Sequence, residues 1–254
     1  MRIALAQIGS LIGGFDENCR KIVDSARKAA GKHADLVLFP ELSVCGYPPM
    51  DLLDQDCFAE LNIRTVRQLQ QLLPPDIAAG IGFVNRTPYS HGKKLVNEYG
   101  IIQHGKLAFE QIKTLLPTYD VFDEARNFEP AQSRSFFEWK GIRIGIAVCE
   151  DVWRETDIPG TAYLCDPVQE LFNLGIDLLC VPSASPFVSG KLPVRQRLAA
   201  RIARRGNVPV VYLNAVGAND SIVFDGRSFV MLPHAETAVE AAAFEEDLVV
   251  WDFP

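Results

Sequence analysis

Alternating and periodic hydrophobic positions divide the first forty residues into three elements. Apolar and polar side chains alternate from Arg2 to Ile8, which predicts a β-strand. A stripe with helical spacing then runs through residues 17–30, with Asp16 as its predicted N-cap and Gly31 as its end. Apart from Asp35, residues 34–39 form a continuous apolar run, typical of a strand buried on both faces. The chain therefore opens with a predicted strand, helix and buried strand.

The same succession of elements returns in the second half. Residues 161–174 carry a helical pattern that ends at Gly175, and residues 176–182 are again apolar and strand-like. Ile-Asp-Leu-Leu-Cys-Val-Pro at 176–182 has the same pattern as Ala-Asp-Leu-Val-Leu-Phe-Pro at 34–40. This similarity predicts two related α/β halves. No linker rich in Gly, Ser or Pro separates them, so we predict one domain over residues 1–254.

The remaining patterns complete a layered fold of sheets and helices. They predict helices over residues 57–73 and 194–205, strands over 77–84 and 208–213, hairpins over 96–110 and 136–148 that turn at His104-Gly105 and Lys140-Gly141, and a β-rich tail. Helices that alternate with buried strands must cover the faces of a sheet, so the sequence predicts the α/β class.

Composition limits the classes of protein that fit. The 254-residue chain is 48% hydrophobic and carries a formal net charge of −7, which disfavours a nucleic-acid partner because phosphate binding needs a basic surface. No apolar run reaches the roughly 20 residues that cross a bilayer, and the first strand begins without the pattern of a signal peptide. We therefore expect a soluble, cytoplasmic protein that binds neither nucleic acid nor membrane.

The cysteines and histidines show no spacing typical of a disulfide framework or a metal site. The six cysteines contain no C-x-x-C pair, and the four histidines lack an H-x-x-x-H or a companion cysteine. We expect reduced thiols and no bound metal.

Candidate chemical groups follow the ends of the predicted strands. Cys149 comes directly after an apolar strand and before two carboxylates, Glu41 follows the buried run 34–40, and Lys113 follows another strand-like stretch. Ligands bind α/β sheets at the carboxyl ends of strands, which favours a site here. Adjacent carboxylates should raise the pKa of the Cys149 thiol, so a reactive thiol would need a cation such as Lys113.

Each of these residues also has an ordinary structural interpretation. A cysteine at Cys149 fits a buried core position, Glu41 fits a loop carboxylate, and Lys113 fits a surface amine. Cys45 is the rival thiol, although it lacks the position at a strand end. No phosphate-binding G-x-x-x-x-G-K-[ST] motif occurs, so such a loop gives no support for ATP binding. The residue pattern alone is compatible with either a catalytic or a purely structural role for these side chains.

Three extended motifs, in order along the chain, resemble the nitrilase superfamily of carbon-nitrogen hydrolases. They begin at Pro40-Glu41-Leu42, at Lys113-Thr114-Leu115-Leu116-Pro117 and at Val148-Cys149-Glu150-Asp151. Their longer context, together with Ser183-Ala184-Ser185-Pro186-Phe187, is similar to the glutaminase domains of glutamine-dependent NAD synthetases. The resemblance covers nearly the whole chain and implies an αββα sandwich with two pseudo-symmetric halves.

The resemblance also implies roles for individual residues. Glu41 would act as the general base, Lys113 would stabilise the oxyanion, and Cys149 would attack the side-chain amide of glutamine and form a thioester. Residues that would line the glutamine pocket are Tyr119, Phe122, Glu150, Ser185 and Lys191. Glu150 would pair with the substrate α-ammonium. Glu124 is the candidate for the further glutamate that many superfamily members carry, although it lies farther from Lys113 in sequence than usual.

Synthetases of this type continue into an ATP-pyrophosphatase domain with an S-G-G-x-D-S loop, which this sequence lacks. The resemblance therefore implies a synthetase domain as partner, a homo-oligomer, no cofactor for this domain, and ATP and Mg²⁺ only for the synthetase. One alternative is a stand-alone ω-amidase or N-carbamoyl-amine amidase. Another is a non-catalytic module that uses the fold only for binding or oligomerisation.

Overall fold

The chain combines helices with strands, and each α-helix lies between two strands in sequence. The computed structural model describes residues 1–153 and 163–254, within which there are four α-helices and fourteen strands. The helices are α1 (Phe15–Gly31), α2 (Asp56–Leu72), α3 (Pro167–Asn173) and α4 (Lys191–Gly206).

Twelve of these strands form two six-stranded sheets. In pairing order, the first sheet holds β14 (Asp247–Asp252), β1 (Arg2–Gln7), β2 (Leu36–Leu38), β3 (Ala78–Arg86), β4 (Leu95–Gln103) and β5 (Lys106–Ile112). The second holds β6 (Phe136–Trp139), β7 (Ile142–Ile146), β8 (Leu178–Ser183), β9 (Val210–Asn214), β12 (Phe229–Met231) and β13 (Thr237–Glu240). A separate hairpin pairs β10 (Val216–Asn219) with β11 (Ile222–Asp225).

The two sheets repeat one topology. Each has three parallel strands, β1–β3 in the first and β7–β9 in the second, with antiparallel strands on both sides. In this correspondence, β14 of the first sheet matches β6 of the second at one edge, and β5 matches β13 at the other. The two pseudo-symmetric halves predicted from sequence are therefore confirmed.

Successive side chains of the central strands face two different cores, which layers the fold. Ile3 and Leu5 of β1 share a buried cluster with Leu178 of β8, so this cluster lies between the sheets. Ala4 belongs to the cluster that includes the apolar faces of α1 and α2, and Leu179 belongs to the one that includes α3 and α4. The order is helix, sheet, sheet, helix, and the predicted αββα sandwich is confirmed.

Both predicted hairpin turns are present. His104 and Gly105 join β4 to β5, and Lys140 and Gly141 join β6 to β7. All four residues have φ between 48° and 78°, and type I′ hairpin turns require a positive φ at both central residues. No helix among the described residues is both long and apolar enough to cross a membrane.

Three predicted helix starts were wrong. Gly14, not Asp16, is the N-cap of α1, and the Asp16 carboxylate lies in the first turn. The helix predicted over 161–174 begins only at Pro167, because Asp166 caps it by accepting a hydrogen bond from Gln169 N at 3.0 Å. Positions 161 and 162 of that prediction lie outside the described residues. The helix predicted from 194 begins at Lys191.

Candidate active site

Loops that follow strands of both sheets bring three reactive side chains together. Glu41 lies shortly after β2, Lys113 directly after β5 and Cys149 shortly after β7. Since β5 runs in the same direction as β2, Glu41 and Lys113 leave the first sheet at the same edge. All three side chains are buried, and the Cys149 thiol interacts electrostatically with both Glu41 and Lys113.

Lys113 is held between two buried carboxylates. Its Nζ lies 2.7 Å from Glu41 Oε1 and 2.7 Å from Glu124 Oε1. Burial opposes the charge of the ammonium, but Glu124 and Glu41 outweigh burial and hold the pKa of Lys113 well above its ordinary value. Lys113 is therefore a fixed cation inside the protein.

The Glu41 carboxylate accepts hydrogen bonds on both of its oxygens. Oε1 receives Asn97 Nδ2 at 2.8 Å in addition to Lys113, and Oε2 receives the backbone N–H of Ala184 at 3.0 Å. Ala184 directly follows β8 of the second sheet. These bonds orient the Glu41 carboxylate between the two sheets.

Glu124 reaches Lys113 because the chain between them folds back. The backbone N–H of Glu124 bonds to Pro117 O at 3.0 Å, and its Oε1 also accepts the Tyr47 hydroxyl at 2.7 Å. Burial raises the pKa of Glu124 to about 7, with Lys113 opposing and Glu41 reinforcing this shift. The structure thus gives Glu124 contact with Lys113 despite its longer offset in sequence.

The raised pKa of Glu124 predicts a pH-dependent effect of Glu124→Gln on stability. A proton bound more tightly in the folded than in the unfolded state contributes stability below the unfolded value of about 4.5. That contribution disappears as the pH rises through the folded value of about 7. We therefore expect the melting temperature of the wild type, relative to Glu124→Gln, to fall by a few degrees between pH 4.5 and pH 8, as measured by thermal unfolding.

Glu60→Gln is the control for this measurement, because the Glu60 side chain is 68% exposed. Its melting temperature should stay parallel to that of the wild type over the same pH range. Parallel curves for Glu124→Gln as well would show that Glu124 gains no proton on folding.

Cys149 begins a tight turn in an uncommon conformation. Residues Cys149–Val152 form a single 3₁₀ turn, and Cys149 has φ of +47°, a left-handed value that is unusual for a residue with a side chain. Burial and Glu41 raise the pKa of the Cys149 thiol well above its ordinary value, while Lys113 opposes the shift. The resting group is therefore a thiol, and attack on a substrate requires a base to remove its proton.

Glu150 provides a second, separate carboxylate beside Cys149. It accepts the Tyr119 hydroxyl at 3.0 Å on both oxygens, and Oε1 also accepts the Tyr163 hydroxyl at 2.7 Å. Burial raises the pKa of Glu150, and the bond from Tyr163 opposes that shift. Two phenols thus fix the orientation of Glu150.

Ser185 and Lys191 lie at the two ends of one loop on the second sheet. The buried guanidinium of Arg195 holds the Ser185 end, donating to Ser185 O at 2.8 Å and to Ser185 Oγ at 3.3 Å, and it pairs with Asp225 at 2.7 Å. Burial, followed by the neighbouring Arg195, lowers the pKa of Lys191, whereas Cys149 and Glu150 raise it. Lys191 therefore lies in the electrostatic field of the candidate site.

Phe122 and Cys45 are not part of the group formed by Glu41, Lys113 and Cys149. The Phe122 ring contacts Tyr119 and Tyr47, with ring centroids 5.5 and 6.4 Å apart, and lines a small cavity together with Glu124. Cys45 is fully buried, and burial raises its pKa to about 12. Among the described residues, no lysine or arginine lowers the pKa of Cys45, as Lys113 does for Cys149.

Sequence reasoning missed several residues that order this site. Asn97, Tyr47 and Tyr163 donate to the carboxylates, and Arg195 holds the Ser185 loop. A polar residue within the apolar strand 95–103 was the available signal for Asn97. Within the described ranges, no group of three or more His, Cys, Asp or Glu side chains could hold a metal ion.

A family model described as carbon-nitrogen hydrolase matches residues 2–254. A glutamine-dependent NAD(+) synthetase from Synechocystis sp. is 40% identical over 257 residues, which cover 99% of this chain and 46% of that protein. A protein of the same name from Acinetobacter baylyi is 36% identical and is covered to 44% of its length. The chain thus spans less than half the length of these relatives.

Solved structures of a synthetase and an amidase are also similar to this chain. Glutamine-dependent NAD+ synthetase from Acinetobacter baumannii, in complex with ADP, has a TM-score of 0.88 at 34% identity over 98% of this chain and 44% of that chain. A variant of an amidase from Nesterenkonia sp. AN1, with a covalent adduct at its active-site cysteine, has a TM-score of 0.81 at 25% identity, with 100% of this chain and 90% of that chain covered.

Proposed function

The chain belongs to the carbon-nitrogen hydrolase family, and on this basis we propose that it hydrolyses the side-chain amide of glutamine through a thioester on Cys149. The observation that carries the proposal is the buried ion pair of Lys113 with Glu41 beside a buried thiol. This arrangement supplies a nucleophile, a base and a fixed cation in one place. Hydrolysis of an amide through a thioester uses all three.

The proposed reaction proceeds in two stages. Glu41 accepts the thiol proton as Cys149 Sγ attacks the amide carbon, and Lys113 stabilises the negative charge that develops on the oxygen. The C–N bond then breaks, and the leaving nitrogen takes the proton from Glu41 and departs as ammonia. Water adds to the thioester, again with Glu41 as base, and releases glutamate and the free thiol. No cofactor enters either stage.

The surroundings of Glu150 support glutamine as the substrate. Glu150 has two phenol donors and lies next to Cys149 in sequence, so its charge can pair with the α-ammonium of glutamine. Lys191 carries the opposite charge and lies in the field of the same site, where it suits the α-carboxylate. Tyr119, Phe122 and Ser185 would complete the pocket.

We expect Glu150→Gln to lose its preference for the α-ammonium of the substrate. Gln can still accept hydrogen bonds from Tyr119 and Tyr163, but it lacks the charge. The ratio of kcat/KM for glutamine to that for glutaramate, which has no α-ammonium, should fall by about 30-fold or more, since a buried charge pair is worth roughly 2–5 kcal/mol. Ammonia release from both amides measures this ratio.

Comparison of two substrates on one enzyme removes any general damage to catalysis. An unchanged ratio would show that Glu150 does not recognise the ammonium. Glutamine should also exceed asparagine, ω-keto amides and N-carbamoyl amines as a substrate for the wild type.

The ammonia would serve NAD synthesis in a synthetase region, because the relatives carry that name and are about twice as long as this chain. ATP and Mg²⁺ would be needed only there. Glutamine hydrolysis should therefore proceed with this chain alone, and it should rise when a synthetase partner is added. We also expect the chain to form a homo-oligomer.

A stand-alone amidase is the second candidate, because the Nesterenkonia amidase matches this chain over 90% of its own length. Strong preference for an ω-keto amide or an N-carbamoyl amine over glutamine would favour this alternative.

A further inference from the structure

Asp151 has a buried carboxylate that accepts hydrogen bonds only from backbone groups within the described residues. Oδ1 receives the N–H groups of Thr114 at 2.9 Å and Leu115 at 2.7 Å, and Oδ2 receives the N–H of Val148 at 2.9 Å. The residue is 3% exposed. No lysine or arginine among the described residues forms an ion pair with it, so these three bonds are its direct contacts, and Lys113 acts on it only through its charge.

The three donors belong to two segments that each carry a reactive side chain. Thr114 and Leu115 directly follow Lys113, whereas Val148 directly precedes Cys149. The Asp151 carboxylate therefore joins the end of β5 in the first sheet to the loop after β7 in the second.

Asp151 also closes the turn that holds Cys149. Its own backbone N–H bonds to Val148 O at 3.0 Å, while its side chain bonds to Val148 N. A left-handed φ at Cys149 persists only where the surrounding contacts enforce it, and both of these bonds span that residue by joining Val148 to Asp151.

We propose that Asp151 is a positioning residue whose carboxylate, by bonding to Val148 N and to the N–H groups of Thr114 and Leu115, fixes the Cys149 thiol relative to the Lys113 ammonium. The proposal rests on the function proposed above. Asp151 does not touch the reacting atoms, so it acts through the geometry of the two groups that do.

Geometry and electrostatics predict opposite effects for Asp151→Asn. Loss of a nearby negative charge should favour the thiolate and speed its reaction with an electrophile. Asn offers only one oxygen, and its amide group would face one set of N–H donors, so one side of the carboxylate bridge would open. Displacement of the thiol from the cation should slow the same reaction.

The experiment compares Asp151→Asn with Asp177→Asn. Asp177 is the control for a carboxylate that accepts a backbone N–H, that of Arg143 at 2.8 Å, near the other end of β7, where its side chain is 40% exposed and pairs with Arg143. Alkylation of Cys149 by iodoacetamide is followed by peptide mapping, because Cys57 and Cys165 are also exposed to the reagent. Glutaminase kcat and KM are measured on the same samples, corrected for the folded fraction.

We expect Asp151→Asn to lower kcat by about 10²-fold, with KM within about threefold, and to slow the alkylation of Cys149. Asp177→Asn should leave both rates close to those of the wild type. Faster alkylation or an unchanged kcat in Asp151→Asn would overturn the proposal, as would an equal loss in both variants. Slower alkylation combined with no glutaminase activity in the wild type would reject the proposed function but keep the positioning role.

Hydrogen exchange of the wild type provides a test that does not depend on a variant's folding. The bridge requires the amides of Thr114, Leu115 and Val148 to be strongly protected, although all three residues lie outside any strand. Exchange of Thr114 and Leu115 at the rate of an open loop would refute the bridge whatever the variants do.

Discussion

Replacement of Cys149 by alanine is expected to abolish ammonia release from glutamine, with a loss of about 10⁴-fold or more. The proposed reaction passes through a covalent bond to Sγ, and loss of a nucleophile removes the whole two-stage route rather than one stabilising contact. The remaining groups, Glu41 and Lys113, could at most assist direct attack by water. Ammonia release under saturating glutamine measures the loss.

Cys45→Ala is the matched control, because Cys45 is the other candidate thiol and is buried in a loop close to Glu41 in sequence. It should retain activity. Incubation of the wild type with a glutamine-like electrophile, followed by intact mass and peptide mapping, should place the adduct on Cys149. An adduct on Cys45, together with activity in Cys149→Ala, would transfer the nucleophile to the other residue.

The layered fold could be predicted from local patterns because strands and helices of this chain are amphipathic or fully buried. The matching patterns of residues 34–40 and 176–182 predicted the repeat of the two halves. The strand that completes the first sheet could not be predicted in the same way. β14 pairs with β1 across about 250 residues, and no local pattern specifies which edge a late strand will join.

In the candidate site, too, residues could be predicted where the neighbouring sequence identifies them, but not where only the fold brings them together. Glu41, Lys113 and Cys149 could be proposed from sequence because each follows an apolar, strand-like run and lies in a motif that resembles the carbon-nitrogen hydrolases. Tyr47 was not, since a donor to a buried carboxylate is recognisable only when the carboxylate is known to be near, and the polar Asn97 within an apolar strand did not show which group it contacts. Folding brings Tyr47 within 2.7 Å of Glu124, although 77 residues separate them.

Lys113→Ala is expected to lower both activity and stability. Loss of the ammonium removes the proposed stabiliser of the oxyanion, which should reduce kcat by about 10²-fold or more with a smaller change in KM. It also leaves the carboxylates of Glu41 and Glu124 buried without their cation, and the loss of one partner of a buried ion pair costs about 3–5 kcal/mol. Steady-state kinetics and chemical denaturation measure the two effects.

Two further variants separate the two effects. Lys113→Met fills most of the same volume without a charge, so it should recover part of any stability lost through the cavity but none of the lost kcat. Lys106→Ala removes an exposed lysine from the start of the same strand, β5, and should change neither quantity. A normal kcat with a raised KM in Lys113→Met would assign Lys113 to substrate binding. A normal kcat and KM would leave the Glu41–Lys113–Glu124 group as a structural element, because a cation that acts on charge present only in the transition state must affect kcat.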